Sequence, residues 1–294
     1  MKKPHFFKAF SRIGLTNPPI RRTELNTGVE DAPNAILTPR FLATLPESTI
    51  TEYSFTKPEL IDSKDYQMIL TKELIAFKNI INHELKSDEM QIVLGGDNTV
   101  TFSAFLALLE RVGDPKRIGY IQFDSHGEIN SYHGSESKNF HGMYMRPFFD
   151  QFDIPEINQL IPEKLDPNQM FIFGDQVLDG DEPEFYAKHN LQSITFSMYQ
   201  QNKEIIHKKF VDFLNRFDFI HVNFDIDIFH RSVAGATGIP EDGQWLKQEI
   251  FEILQLLTNH QNLSFDLSEV NPTKHGHEQT IALSQQIVSQ VIDG

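Results

Sequence analysis

The chain has 294 residues, a formal net charge of −15 and no cysteine. The acidic balance argues against a nucleic-acid partner, because phosphate contacts require an excess of lysine and arginine. Without cysteine, disulfides, thiolate catalysis and zinc–thiolate sites are excluded. The hydrophobic fraction of 39% is enough for a substantial core. The first residues lack the apolar segment of a secretory signal, and no window approaches the roughly 18 to 20 apolar residues of a membrane helix. We expect a soluble, cytoplasmic protein with no membrane partner.

Short apolar runs alternate with longer amphipathic segments along the chain. The runs predict strands at Gln91–Leu94, Arg117–Phe123, Gln169–Phe173, Phe217–Phe224 and Leu263–Leu267. The amphipathic segments predict helices at Ser63–Leu85, Val100–Arg111, Glu204–Asn215, Gln248–His260 and Gln279–Ile292. Nearly continuous apolar runs are typical of strands covered on both faces, and strand–helix alternation favours a parallel sheet. We predict one α/β domain over residues 1–294, with a three-layer, doubly wound, mostly parallel sheet and helices on both faces. The segment Asn130–Phe140 is the most loop-like internal stretch.

Chemically reactive residues follow four of the five predicted strands. In chain order they are Gly95-Gly96-Asp97-Asn98, then Asp124-Ser125-His126-Gly127-Glu128, then Asp225 and Asp227, and finally Glu269 and Asn271. Ligands of such sheets bind beyond the carboxyl ends of the strands, so we expect these residues to share one site. Taken singly, an Asp-x-Asp is usually a turn or a cap and a Gly-Gly-Asp a tight turn. Their joint appearance after successive strands favours a functional site.

Four carboxylates, those of Asp124, Glu128, Asp225 and Asp227, would meet at this edge of the sheet. Packing like charges together is strongly unfavourable unless cations compensate them. Two divalent ions would do so, and oxygen-rich ligands with an imidazole favour manganese over zinc. Such a metal pair would activate a bridging water at neutral pH.

At these residues the sequence resembles the arginase/agmatinase/formimidoylglutamase family, the ureohydrolases. The family motifs Gly-Gly-Asp-His, Asp-Ala-His-x-Asp and Ser-x-Asp-x-Asp resemble residues 95–98, 124–128 and 223–227. Three further elements match as well: Gly28–Pro33, Gly235–Pro240 and Asp266–Pro272. All six matches occur in the family's order along the sequence, so the resemblance covers nearly the whole chain. Arginase is the most similar subgroup. The resemblance implies an arginase-like fold and a homo-oligomer. It also implies hydrolysis of linear C–N bonds in small guanidino or formimino amino acids, with a metal-bound hydroxide attacking the guanidino carbon.

The resemblance also implies roles for individual residues. His141 would shuttle protons and Glu269 would pair with the guanidinium. The metal ligands would be Asn98, Asp124, His126, Glu128, Asp225 and Asp227, of which Asp124 is also counted as catalytic. Asn130, Ser137 and Asn139 would bind an α-carboxylate, and Asp181 and Glu184 an α-amino group.

The sequence departs from the family at the metal ligands. Asn98 replaces a histidine and Glu128 an aspartate, and His230 with Arg231 replaces a supporting Asp-Pro. In the family one metal uses the positions of Asn98, Asp124, Glu128 and Asp225, whereas the other uses Asp124, His126, Asp225 and Asp227, all intact here. We expect one or two manganese ions, one of them weakly held, because an amide binds transition metals less well than an imidazole.

Three hypotheses follow from these departures. The first is an active hydrolase with an asymmetric metal pair, and the second a ureohydrolase-fold pseudoenzyme that binds an amino acid or a protein partner. The third is a purely structural subunit of an active homologue. Retention of the acidic ligands favours the first, because buried carboxylates without a metal destabilise a fold.

Overall fold

The computed structural model of the protein describes residues 2–15, 26–258 and 260–293. Over these residues the chain forms an eight-stranded, entirely parallel sheet in the order β2-β1-β3-β8-β7-β4-β5-β6. The strands are β1 Lys3–Phe10, β2 Thr49–Ser54, β3 Glu89–Gly95, β4 Ile118–Phe123, β5 Met170–Phe173, β6 Ser193–Ile194, β7 Phe219–Asp225 and β8 Leu263–Ser268.

Helices cover both faces of the sheet. They are α1 Ala32–Ile36, α2 Pro39–Leu42, α3 Tyr66–Glu84, α4 Thr99–Val112, α5 Arg146–Phe149, α6 Pro155–Asn158, α7 Glu182–His189, α8 Phe196–Leu214, α9 Lys247–Leu257 and α10 His277–Asp293. Buried side chains of α3 to α7 form one apolar core against the sheet, and those of α1, α2 and α8 to α10 form a second. The predicted doubly wound parallel sheet is therefore confirmed. The expectation of a single domain stays a prediction.

The five predicted strands are present, but β1, β2 and β6 were not predicted. The reason for β1 is that His5 and Lys8 interrupt its apolar pattern; His5 is nevertheless buried and pairs with Glu89 at 2.8 Å. The strand β2 lies at the edge of the sheet and is only partly buried, so it is polar. The helix α8 begins eight residues before the predicted Glu204, beyond a non-helical residue, Asn202. None of the described helices is long and apolar enough to cross a membrane.

The topology brings the reactive segments to the middle of the carboxyl edge. The adjacent strands β3, β8, β7 and β4 end, respectively, before Asn98, Glu269, Asp227 and Asp124. The turn after β3 also packs against the segment after β1: a Cβ on Gly96 would lie 1.8 Å from the carbonyl oxygen of Ser11. Glycine is required at residue 96 because any side chain would collide with this backbone.

Candidate metal centre and substrate pocket

Two groups of possible metal ligands share one carboxylate. Ligand atoms of Asp124, His126 and Glu128 lie within 4.8 Å of one another, and so do those of Asp124, Asp225 and Asp227. The four carboxylates are buried, and His126 is partly buried. The five strongest predicted ligands are thus brought together around Asp124.

Backbone hydrogen bonds fix the two turns that carry these ligands. The carboxylate of Asp124 accepts from the backbone N–H of His126 at 2.8 Å, and that of Asp225 accepts from the N–H of Asp227 at 2.8 Å. The two turns are joined because Ser125 donates its N–H to the carboxylate of Asp227 at 3.1 Å. The ligand positions are therefore set by short local contacts at the ends of β4 and β7.

The charges of the cluster are not balanced by the chain itself. Burial raises the pKa of Asp124, Glu128 and Asp225 well above the usual range, and neighbouring carboxylates raise each of them further. Burial alone would lower the pKa of His126, but Asp227 and Asp124 raise it well above its ordinary value. Among the described residues, the buried Oε2 of Glu128 has no hydrogen-bond partner. Excess negative charge and an unpartnered oxygen fit a site that holds divalent cations.

Asn98 lies beside the cluster, and the nitrogen of its side-chain amide, not the oxygen, faces the carboxylates. Its Nδ2 donates to Oδ2 of Asp225 at 2.6 Å, while its Oδ1 accepts from the hydroxyl of Ser268. An amide NH₂ is a hydrogen-bond donor and cannot ligate a cation. In this arrangement Asn98 therefore offers Asp225 a neutral donor rather than offering a metal an oxygen.

Glu269 and His141 face the same pocket as the cluster. Glu269 follows β8 with a left-handed backbone, φ 64°, which is uncommon for a residue with a side chain and often marks functional positions. Its carboxylate accepts from the N–H of Asn98 at 3.1 Å and from Nδ2 of Asn26 at 2.5 Å. Burial and then the charge of Asp97 raise the pKa of Glu269 to about 8.

The ring of His141 is 3.8 Å from Glu269, measured from Nδ1 to Oε1. Burial lowers the pKa of His141 to about 4, and the charge of His126 acts in the same direction. The imidazole is therefore neutral at pH 7, and its protonated form would be a stronger acid than an ordinary imidazolium.

The predicted carboxylate-binding residues lie together on the loop that follows Glu128. Asn130 donates from Nδ2 to Asp179 at 2.5 Å and accepts from the N–H of Asp181 at 3.1 Å. The hydroxyl of Ser137 accepts from the N–H of Asn139 at 3.3 Å. The loop is therefore braced by its own polar side chains.

The structure distinguishes two registers of the Asp-x-x-Glu pair. The predicted pair was Asp181 and Glu184, but Glu184 is exposed on α7. The same spacing occurs at Asp179 and Glu182, where Glu182 is buried and accepts from the N–H of Ile129 at 2.9 Å. Sequence spacing cannot choose between the registers, and the burial of Glu182 is accounted for by its two backbone donors, the N–H groups of Ile129 and Asp179.

Two other residues at the site were missed by sequence reasoning, Asn26 and Glu241. Asn26 lies two residues before the recognised Gly28 element, which was the only signal available. Oε1 of Glu241 lies 3.4 Å from Nε2 of His126. His230 and Arg231 stand where the family has Asp-Pro. Their described side-chain contacts lie near the surface, with Ser232, Pro240 and Asp242.

A parallel α/β sheet with a carboxylate–imidazole cluster at its carboxyl edge defines a protein with a candidate metal centre. The chain belongs to the arginase family, whose model matches residues 12–293. An arginase of Staphylococcus aureus strain MRSA252 is 28% identical over 212 residues, covering 69% of this chain and 68% of the relative.

Solved arginases share the fold. The crystal structure of the Entamoeba histolytica arginase in complex with L-ornithine gives a TM-score of 0.85 at 19% identity, covering 99% of this chain and 98% of that chain. The Bacillus subtilis arginase gives 0.83 at 20% identity, covering 100% and 99%. At this identity the agreement shows the fold alone.

Proposed function

We propose that the protein is a metal-dependent, arginase-like hydrolase that cleaves a guanidino or formimino C–N bond of a small amino acid. The observation that carries this proposal is that the buried carboxylate–imidazole cluster opens into the same pocket as Glu269 and His141. The Staphylococcus relative is an arginase, and the Entamoeba arginase was solved with an amino acid bound, which supports the substrate class.

We infer that the two candidate metal positions differ in strength. The family pattern divides the ligands differently from the two compact groups: by that pattern Asp124, His126, Asp225 and Asp227 would hold one ion with a complete ligand set. Asp124, Glu128 and Asp225 would hold the other, with Asn98 in place of a fourth strong ligand. Manganese suits these oxygen-rich sets. When bound, divalent ions supply the positive charge that activates a water for attack on the guanidino carbon.

Glu269 is proposed to anchor the guanidinium. Its carboxylate is buried, and its raised pKa means that without a cation it binds a proton near neutrality. A substrate guanidinium would displace that proton and donate hydrogen bonds to the carboxylate, which is the strongest pairing available to arginine-like groups. The N–H of Asn98 and the amide of Asn26 hold the carboxylate in place.

His141 is proposed to move a proton between water and the departing amine. Burial lowers its pKa, so once protonated it would give the proton up readily to the departing amine. Its ring borders the pocket beside Glu269, where the leaving nitrogen would lie.

The braced loop is proposed to bind the amino-acid end of the substrate. Asn130, Ser137 and Asn139 would contact the α-carboxylate. One of the two acidic pairs, Asp181 with Glu184 or Asp179 with Glu182, would meet the α-amino group. A homo-oligomeric assembly and a cytoplasmic location stay predictions.

The test is to measure manganese per chain after loading, together with urea release from L-arginine. We expect one tightly bound ion, a second bound more weakly, and urea release that depends on manganese. Replacing Asn98→His should raise the manganese affinity of the weaker position about tenfold or more, because imidazole is the better ligand. Asp242→Asn, a surface acid, serves as the control and should change neither measurement. A chain that binds no manganese at millimolar concentrations would contradict the proposal.

A further inference from the structure

We propose that Glu241 is a positioning residue for the metal centre: it holds the ring of His126 so that Nδ1 is presented to the metal. The proposal deepens the proposed function and rests on its metal site. It assigns a role to a loop residue that sequence reasoning did not single out.

The two nitrogens of the His126 ring face different surroundings. Nδ1 lies 3.0 Å from Oδ2 of Asp227 and 3.7 Å from Oδ1 of Asp124, so this nitrogen points into the carboxylate cluster. Nε2 points away from the cluster and lies 3.4 Å from Oε1 of Glu241. If His126 is a metal ligand, Nδ1 is therefore the ligating nitrogen.

Ligation through Nδ1 decides where the ring proton must be. A ligating nitrogen carries no proton, so the neutral ring bears its proton on Nε2, next to Glu241. A carboxylate that accepts this proton in a hydrogen bond fixes the tautomer and the ring orientation and makes the other nitrogen a stronger ligand. Both side chains are mostly shielded, with 21% of His126 and 27% of Glu241 exposed, so solvent screens the contact only in part.

The loop carrying Glu241 is held to the end of the turn that follows β7. Arg231 donates its N–H to the carbonyl of Glu241 at 3.2 Å, and His230 donates its N–H to the carbonyl of Trp245 at 3.0 Å. Trp245 is fully buried and anchors the far side of the loop. These backbone contacts place Glu241 over His126 without relying on a surface side chain.

This arrangement offers a physical account of one departure from the family pattern. His230 and Arg231 stand where the family has Asp-Pro, and their own side chains make their described contacts with Ser232, Pro240 and Asp242. Their backbones instead tie down the loop that brings Glu241 to His126. Support for the intact metal position is thus supplied from residues 240–245.

The experiment compares manganese binding by wild-type protein, Glu241→Gln and Glu241→Ala, measured by calorimetry and by the electron paramagnetic resonance of free ion. We expect Glu241→Gln to weaken the tighter manganese ion about 10- to 100-fold, and Glu241→Ala at least as much. Asp242→Asn is the matched control: it removes the same charge from the next residue, whose carboxylate faces Arg231 on the surface. Binding within twofold of wild type in both Glu241 variants would overturn the proposal, as would an equal loss in Asp242→Asn.

A second readout separates positioning from a general effect on folding. In zinc-loaded protein with ¹⁵N-labelled histidine, the Nε2–H resonance of His126, assigned by its loss in His126→Asn, should shift in Glu241→Gln. The melting temperature of the metal-free variant should equal that of the wild type. An unmoved resonance overturns the inference. If the Glu241 variants bind manganese more weakly but the wild type releases no urea, the proposed function is refuted and this inference stands.

Discussion

Buried carboxylates occur in two regions of the sheet, and their pKa values are shifted in opposite directions in the two regions. At the carboxyl edge, Asp124 and Asp225 crowd together and burial drives their pKa values up. Near the amino end, Glu89 is also buried, but it accepts hydrogen bonds from His5 at 2.8 Å, Thr49 at 2.7 Å and the N–H of Lys86 at 3.0 Å. Burial opposes ionisation there too, yet these donors lower the pKa of Glu89 to about 2.

The difference shows that burial of an acid is not by itself a sign of function. Glu89 is satisfied by donors within the chain, so it needs nothing from outside. The cluster at the carboxyl edge has too few hydrogen-bond donors for its negative charges. This shortage of donors is what a cation site is expected to show. Three predictions test this contrast, from the largest expected effect to the smallest.

The largest effect is expected from Asp124→Asn. Asp124 belongs to both groups of possible ligands, so its loss should weaken both manganese ions by more than about 100-fold and abolish urea release. Equilibrium dialysis against manganese measures the binding. Glu89→Gln is the matched control, a buried acid in the other region, and should bind manganese as the wild type does. An Asp124 variant whose manganese affinity stays within about tenfold of the wild-type value would contradict this difference between the two regions.

A smaller effect on stability is expected from Glu89→Gln. Losing the charged acceptor should lower the free energy of unfolding by about 1–3 kcal/mol at pH 7. Because the folded pKa of Glu89 is depressed, its contribution is present above the ordinary value of 4.5 and is lost as the pH falls towards about 2. Urea unfolding at pH 7, 5, 4 and 3 should show the difference between variant and wild type shrinking below pH 4.5. A difference that grew with acidity would contradict the assigned sign. Glu47→Gln, an exposed acid, should show no measurable change.

The smallest effect is a pH dependence of the metal-free protein. The raised pKa values of the cluster acids and of His126 mean that the folded state holds protons that the unfolded state has released. Raising the pH removes those protons, so stability in the presence of a chelator should fall as the pH rises above the ordinary value of 3.8 for the acids, and further above the ordinary value of 6.5 for His126. A melting temperature lower by about 2–4 °C for each kcal/mol lost is expected. Manganese-loaded protein should show a flatter slope, whereas a rising melting temperature in the chelated protein would contradict the argument.

The sequence predicted the centre of the fold better than its periphery. The runs leading to Asp124 and Asp225 are nearly all apolar because both faces of those strands are covered, and such runs are distinctive. The strand β1 was missed because its buried His5 looks polar until its partner Glu89 is known. A buried hydrogen-bonded pair is a property of two distant segments, so a local pattern does not reveal it.

The same limit applies within the candidate site. Residues that follow strands directly were identified, because strand ends alone place them at one edge. The orientation of the Asn98 amide depends on Ser268 and Asp225, which lie 170 and 127 residues away. Glu241 comes to His126 through a loop whose path is set by backbone contacts. The burial of Glu182 likewise depends on a distant segment, because its carboxylate accepts from the N–H of Ile129.

The place of β8 in the sheet has a consequence for how the protein is made on the ribosome. The strand order leaves β1, β2 and β3 on one side of β8 and β4 to β7 on the other, and β8 is the last of these eight strands to be synthesised. Until Leu263–Ser268 has emerged, the two half-sheets have no strand between them, and Asn98 and Asp225 belong to separate halves. Synthesis of the last strand closes the sheet, and only then do Asn98 and Glu269 join the carboxylates that follow β4 and β7 around one pocket.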